Sequence, residues 1–194
     1  MPILTIAHTK GGVGKSTTTV YLAAAAHARD MSVRVVDLDR QGTTMAWAEA
    51  AAAAGAPLPF EVGTSIPVDD PAILTIVDTP PGEAKAIQEA IDAADLVVIP
   101  SRATPADLAR VYPTVSTTRH KPTVVVLTSI RLGTRLLEQA RDLLAADEIA
   151  TAQTTILQRE AIAASFGYPP SRLHGYDDLL TELLSTELLG DHRG

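Results

Sequence analysis

The chain has 194 residues, 46% of them apolar and 20% charged, with a formal net charge of −7 and no cysteine. That length suits one domain with a substantial core, and the zero cysteine count excludes disulfides, thiolate metal sites and iron–sulfur clusters. No apolar run approaches the roughly 20 residues that span a bilayer, and the opening "MPILTIAHTK" has neither a basic lead nor a small-residue cleavage site, so the expected location is the cytoplasm.

The first predicted element is the apolar run "ILTIA" at 3–7, followed by a helix over 15–29. Strands are then predicted at 33–39, 73–78, 96–100 and 123–129, alternating with helices at 42–54, 83–93, 105–118 and 133–146. The strands are almost continuously β-branched and apolar, the pattern of strands covered on both faces. Such an order predicts an α/β fold: an open, mostly parallel sheet with helices on both faces, joined by right-handed crossovers. The Pro- and Gly-rich segment 55–71 reads as a loop with a short edge strand around Phe60–Val62. No repeat or linker divides the chain, so one domain over 1–194 is expected.

Charge is distributed unevenly along these elements. Residues 1–100 hold 12 acidic and 6 basic side chains, residues 101–172 hold 6 and 9, and residues 173–194 hold 5 and 1. Only the middle-to-late segment can present a basic face, and non-specific contact with nucleic-acid phosphates would draw on it.

In an open parallel sheet, ligands collect at the carboxyl ends of the strands. Three polar features fall there. The loop "KGGVGKST" (10–17) follows the first strand, Asp37 and Asp39 close the second, and Asp78 closes the third. In such a loop the backbone of Gly11, Gly12, Val13 and Gly14 can approach phosphate oxygens, with the positive end of the next helix aimed at the same anion. Lys15 then reaches the β- and γ-phosphates, Ser16 ligates Mg²⁺, and Thr17 adds contacts at the α-phosphate. The first glycine of the general G-x-x-x-x-G-K-[ST] pattern would fall at Thr9, so this loop departs from it and carries an extra lysine, Lys10.

"KGGVGKST" resembles the deviant Walker A loop of the ParA/MinD family of P-loop ATPases. "DLDRQG" (37–42) is similar to that family's switch I and "VDTPPG" (77–82) to its Walker B segment, although Arg40 stands where the family has proline. The closest likeness is to small plasmid-type, ParF-like partition proteins, and "LVVIPSRATPADL" and "TTILQREAIAASFGYPPS" extend it. The resemblance implies ATP and Mg²⁺ as cofactors, with Lys10, Lys15 and Asp39 in the catalytic machinery. Lys10 would reach across an ATP-sandwich homodimer to the partner's nucleotide, and Asp39 would orient the attacking water. Asp78 would hold Mg²⁺ through a water, while Asp37 either supports the magnesium shell or caps its loop. It further implies non-specific DNA binding, for which Arg131, Arg135, Arg159 and Arg172 are the candidates, and release by a ParB-like adaptor that stimulates hydrolysis. A nucleoid-associated protein that segregates DNA or positions another cargo follows.

The first strand is predicted from residue 3, so the N-terminal helix-turn-helix of larger ParA proteins is not expected. A MinD-like positioning ATPase needs a basic amphipathic tail. Here the leucine stripe at Leu179, Leu180, Leu183, Leu184 and Leu188 is backed by Asp177, Asp178, Glu182 and Glu187. Anionic lipid repels that face, so no membrane partner is expected and the stripe is read as packing on its own domain. The other alternative is a biosynthetic P-loop enzyme that activates a carboxylate. The five histidines are dispersed and read as structural, Trp47 is expected to pack on the helix after switch I, and Pro100 and the 128–131 loop are candidates to border an adenine.

Overall fold

The computed structural model describes residues 2–66 and 72–185. Six strands form one sheet: β1 (Ile3–Ile6), β2 (Val33–Asp37), β3 (Glu61–Gly63), β4 (Leu74–Asp78), β5 (Leu96–Ser101) and β6 (Thr123–Leu127). Their order is β3-β2-β4-β1-β5-β6, and every pair is parallel. The helices are α1 (Lys15–His27), α2 (Thr43–Ala53), α3 (Ala84–Ala93), α4 (Pro105–Thr117), α5 (Leu136–Ala146), α6 (Glu160–Ala163) and α7 (Tyr176–Leu183).

Strand alternation divides the core in two. Leu96, Val98, Val124 and Val126 turn to the face that carries Val20, Tyr21, Trp47 and Leu180, hence α1, α2 and α7. Val97, Ile99, Val125 and Leu127 turn to the opposite face, beneath Ile91 of α3, Leu108 and Val111 of α4, and Leu144 of α5. Both faces are covered, which is why the strands read as unbroken apolar runs.

Several boundaries differ from the sequence expectation. The second strand stops at Asp37, two residues early, where its carboxylate oxygens accept the amides of Asp39 in the following loop and of Met45 in the first turn of α2. The expected helix at 133–146 begins at Leu136, since Gly133 adopts a left-handed φ of 77° that no helix continues through. The short α6 was not expected. Helix α4 accommodates Pro113 in its interior, and Thr104 caps it by accepting the Asp107 amide at 3.2 Å. The leucine stripe behaves as expected as far as it is described: Leu179, Leu180 and Leu183 are fully buried and face α1. Glu187 and Leu188 lie outside the described residues.

Register places the site. Ile6, Asp78 and Asp37 lie side by side on β1, β4 and β2, at the carboxyl ends of three adjacent strands.

Candidate functional site

Between β1 and α1 the loop turns at Gly12 (φ 72°) and Gly14 (φ 94°), both left-handed, where a side chain would be strained. Gly11 has no such φ, and a Cβ there would make ordinary contact with Pro81 at 3.8 Å. Two of the three glycines are thus required by backbone conformation. Helix α1 starts at Gly14 with no side-chain cap and no acidic residue in its first turn. Its first amides are left for an anion.

Lys15 is buried at 7% exposure, and its Nζ donates to the Lys10 carbonyl at 3.3 Å, which curls it over the loop. Burial lowers its pKa, while Asp78 and Asp39 pull it back up. Asp78 is fully buried; its Oδ2 accepts the Thr44 hydroxyl at 2.8 Å, and its Oδ1 has no hydrogen-bond partner among the described residues. Burial pushes its pKa up to about 6, against the Ser16 and Thr44 hydroxyls, which lower it. An unpartnered buried carboxylate oxygen near a serine hydroxyl suits the outer shell of a hydrated divalent cation.

Asp37 is occupied differently. Its Oδ1 accepts the Asp39 amide at 3.0 Å and its Oδ2 the Met45 amide at 2.9 Å, so it caps the loop and the start of α2. Of the two roles open to it, the structure shows the cap. Burial raises its pKa, and the amides of Met45 and Asp39 oppose this. Asp39 lines the main cavity, with its Oδ1 accepting the Gln41 amide at 2.9 Å.

Lys10 is held within its own chain. Its Nζ lies 2.5 Å from Asp107 Oδ1, and Asp107 Oδ2 accepts the Thr104 hydroxyl at 2.7 Å. Asp107 was missed in the sequence, although the Thr104-x-x-Asp107 spacing ahead of an apolar helix is a capping signal. His8 was also missed as a site residue. It is fully buried, its Nδ1 accepts the Lys10 amide at 2.9 Å, and its Nε2 therefore carries the proton. Burial, then Lys15, lowers its pKa to about 4.

These groups open onto a cavity of about 880 Å³, lined by Gly11–Thr18 on one side and by Thr128, Ser129 and Ile156–Glu160 on the other. Its volume fits a nucleoside triphosphate. The 128–131 loop borders it through Thr128 and Ser129, as expected, whereas Pro100 is buried in β5 and does not line it. Trp47 sits on α2 as expected and joins the cavity wall with Phe166, 5.5 Å away between ring centres.

Two bridged loops carry Arg131 and Arg159. Bridging of Ile130 to Leu157 brings Arg131 and Arg159 together at a separate cavity of about 260 Å³; Arg159 also lines the main cavity, and Arg131 Nε donates to Gln158 Oε1 at 2.6 Å. Arg135 is exposed at the start of α5. Arg172 stands apart, beside Tyr21 and Tyr168 in a separate 220 Å³ cavity. Glu182, counted on the acidic face of the tail, instead accepts the Gln153 and Thr154 amides at 2.6 and 2.9 Å. No described helix is long and apolar enough to cross a membrane.

Residues 4–168 match the CobQ/CobB/MinD/ParA nucleotide binding domain. The chain is 39% identical over 119 residues to a maintenance of carboxysome distribution protein A from Gloeobacter kilaueensis, covering 58% of this chain and 55% of that protein. It is 32% identical over 114 residues to a protein ParA from Rhizobium radiobacter, covering 53% and 49%. The chain thus spans about half the length of the curated relatives it matches. Among solved structures, an ATP complex of a Cyanothece McdA variant superposes with a TM-score of 0.74 at 16% identity, over 95% of this chain and 96% of that one. A cobyrinic acid a,c-diamide synthase from Mycobacterium smegmatis with ADP and magnesium gives 0.72 at 17%, over 96% and 95%. The pNOB8 ParA bound to nonspecific DNA gives 0.66 at 15%, over 94% and 97%. These likenesses show the fold, and with the match over residues 4–168 they place the chain in the CobQ/CobB/MinD/ParA nucleotide-binding domain family.

Proposed function

We propose that the chain is a ParA-type positioning ATPase: it binds ATP with Mg²⁺, pairs face to face with a second copy, holds DNA without reading sequence, and resets by hydrolysis. The observation that carries the reading is the pair of lysines on one phosphate loop, with Lys15 buried over the loop and Lys10 held outside it by Asp107. In this reading one lysine serves the chain's own nucleotide and the other, once released by Asp107, serves a partner's.

Ser16 would hold Mg²⁺ directly, and Asp78 through water. The ion would draw charge from the β- and γ-phosphates. Around it, Gly11–Gly14 and the first turn of α1 bind the phosphates, and Lys15 neutralises them. Asp39, which accepts the Gln41 amide and lines the cavity, would orient water at the γ-phosphate. A ParB-like adaptor that completes this arrangement is the expected trigger. The curated relatives are named for carboxysome distribution and for ParA, so a protein body and a DNA molecule are both candidate cargoes.

The test is molar mass by light scattering together with nucleotide binding. Wild type should double in mass with Mg²⁺ and an ATP analogue but not with ADP. Lys10→Ala should bind the analogue and remain a single chain, and Lys15→Ala should lose binding by 100-fold or more, about 3 kcal/mol. A chain that stays single in every state, with turnover that answers to a small carboxylic acid, would sink the reading in favour of a biosynthetic ligase.

A further inference from the structure

We propose that Arg102 reads the γ-phosphate, acting as the cation by which a single chain tells ATP from ADP. This rests on the reading that the 880 Å³ cavity holds ATP. Arg102 follows the last residue of β5, and its main chain is pinned on both sides. The Thr128 amide donates to the Ser101 carbonyl at 2.8 Å, and Thr104 caps α4 two residues later. Its side chain is exposed, and its Nη2 reaches the Gly12 carbonyl at 3.5 Å, the long limit of a hydrogen bond. Among the described residues Arg102 has no carboxylate ion-pair partner. It lines both the main cavity and a neighbouring one of about 280 Å³.

The charges around the loop leave work for such a group. Lys10 is engaged by Asp107, and Lys15 is the one buried cation on the loop. A γ-phosphate adds negative charge that ADP lacks, at the mouth of the loop beside Gly12. Arg102 is the permanently charged group already there, with only a long contact to a carbonyl to give up. Its planar fork matches two phosphate oxygens at once. An arginine whose main chain is fixed and whose guanidinium makes only this long contact can swing from the Gly12 carbonyl to the phosphate without moving the fold.

Equilibrium binding of ADP and of a non-hydrolysable ATP analogue, each with Mg²⁺, tests this in wild type, Arg102→Gln and Arg102→Lys, with molar mass followed over a wide range of protein concentration. Arg102→Gln should weaken the analogue roughly tenfold and leave ADP within about twofold; Arg102→Lys, which keeps the charge but loses the fork, should fall between. Unchanged binding of both nucleotides, or equal weakening of both, would overturn the proposal and leave Arg102 as a cover for the loop. A loss confined to concentrations where dimers form would overturn it too, by assigning Arg102 to the partner's nucleotide. Wild type that binds neither nucleotide would instead remove the reading of the cavity.

Discussion

His8 sits two residues before Lys10 and holds that residue's amide through a ring nitrogen that must stay unprotonated. The folded protein lowers its pKa from 6.5 to about 4, so the native chain binds fewer protons than the unfolded one between those values. Stability from this group is complete above the unfolded pKa and is lost as pH falls toward the folded one, by up to about 3 kcal/mol. Asparagine can accept the same amide and does not titrate. Urea midpoints from pH 7 to pH 4.5 should therefore fall more steeply for wild type than for His8→Asn, and parallel declines would show that His8 does not set the slope. Legibility at this scale was partial. The phosphate-loop residues announced themselves because their chemistry is packed into eight consecutive positions. Asp107 lies 97 residues from Lys10, and the ion pair exists only because β1 and β5 are neighbours in the sheet. His8 was passed over because a histidine fully enclosed by a fold looks, in sequence, like any other.

Helix α7 shows how an element's pattern can suggest two destinations. Its leucines suit a membrane surface or a protein core; in the fold they close over α1, with Leu179, Leu180 and Leu183 all fully buried. Arg29 fixes the helix from outside by bonding the Asp177 carbonyl and the Thr181 hydroxyl. Leu180→Ala should cost about 2–5 kcal/mol in chemical denaturation, the price of an enclosed cavity. A loss below about 0.5 kcal/mol, as for a surface site, would mean the stripe is free for another partner. Element type and order were readable apart from the short α6, since period and apolar runs record burial directly. Boundaries were not: Gly133 delays α5, and Asp37 ends β2 by capping its own loop. Those endings depend on backbone angles and side-chain bonds that leave no mark on hydropathy. The six-strand order likewise came from packing, because parallel crossovers allow several.

At the scale of the whole molecule, Arg131 and Arg159 lie on one rim and Arg135 is exposed nearby in sequence, while Arg172 is elsewhere. If one chain makes about three phosphate contacts, log affinity for random-sequence DNA should fall with log salt at a slope of about −2.7, and an ATP dimer should double it to about −5.4. Titrations of labelled DNA at several salt concentrations, with an ATP analogue and with ADP, measure both slopes. Equal slopes in the two states would detach DNA binding from dimerisation. Arg172→Ala should leave the slope unchanged, because its cavity does not share the rim.

The joining of the 128–131 and 156–159 segments reaches further than the rim. The Ile130 amide donates to Ile156 at 3.0 Å and the Gln158 amide to Ile130 at 2.8 Å, so the wall of the nucleotide cavity and the arginines beside it are one piece of backbone. If an occupied cavity raises the affinity of that face for a polyanion by some factor, a bound polyanion raises the affinity for nucleotide by the same factor, since linkage runs equally in both directions. A chain resting on DNA would then hold its nucleotide more tightly at equilibrium than one in solution.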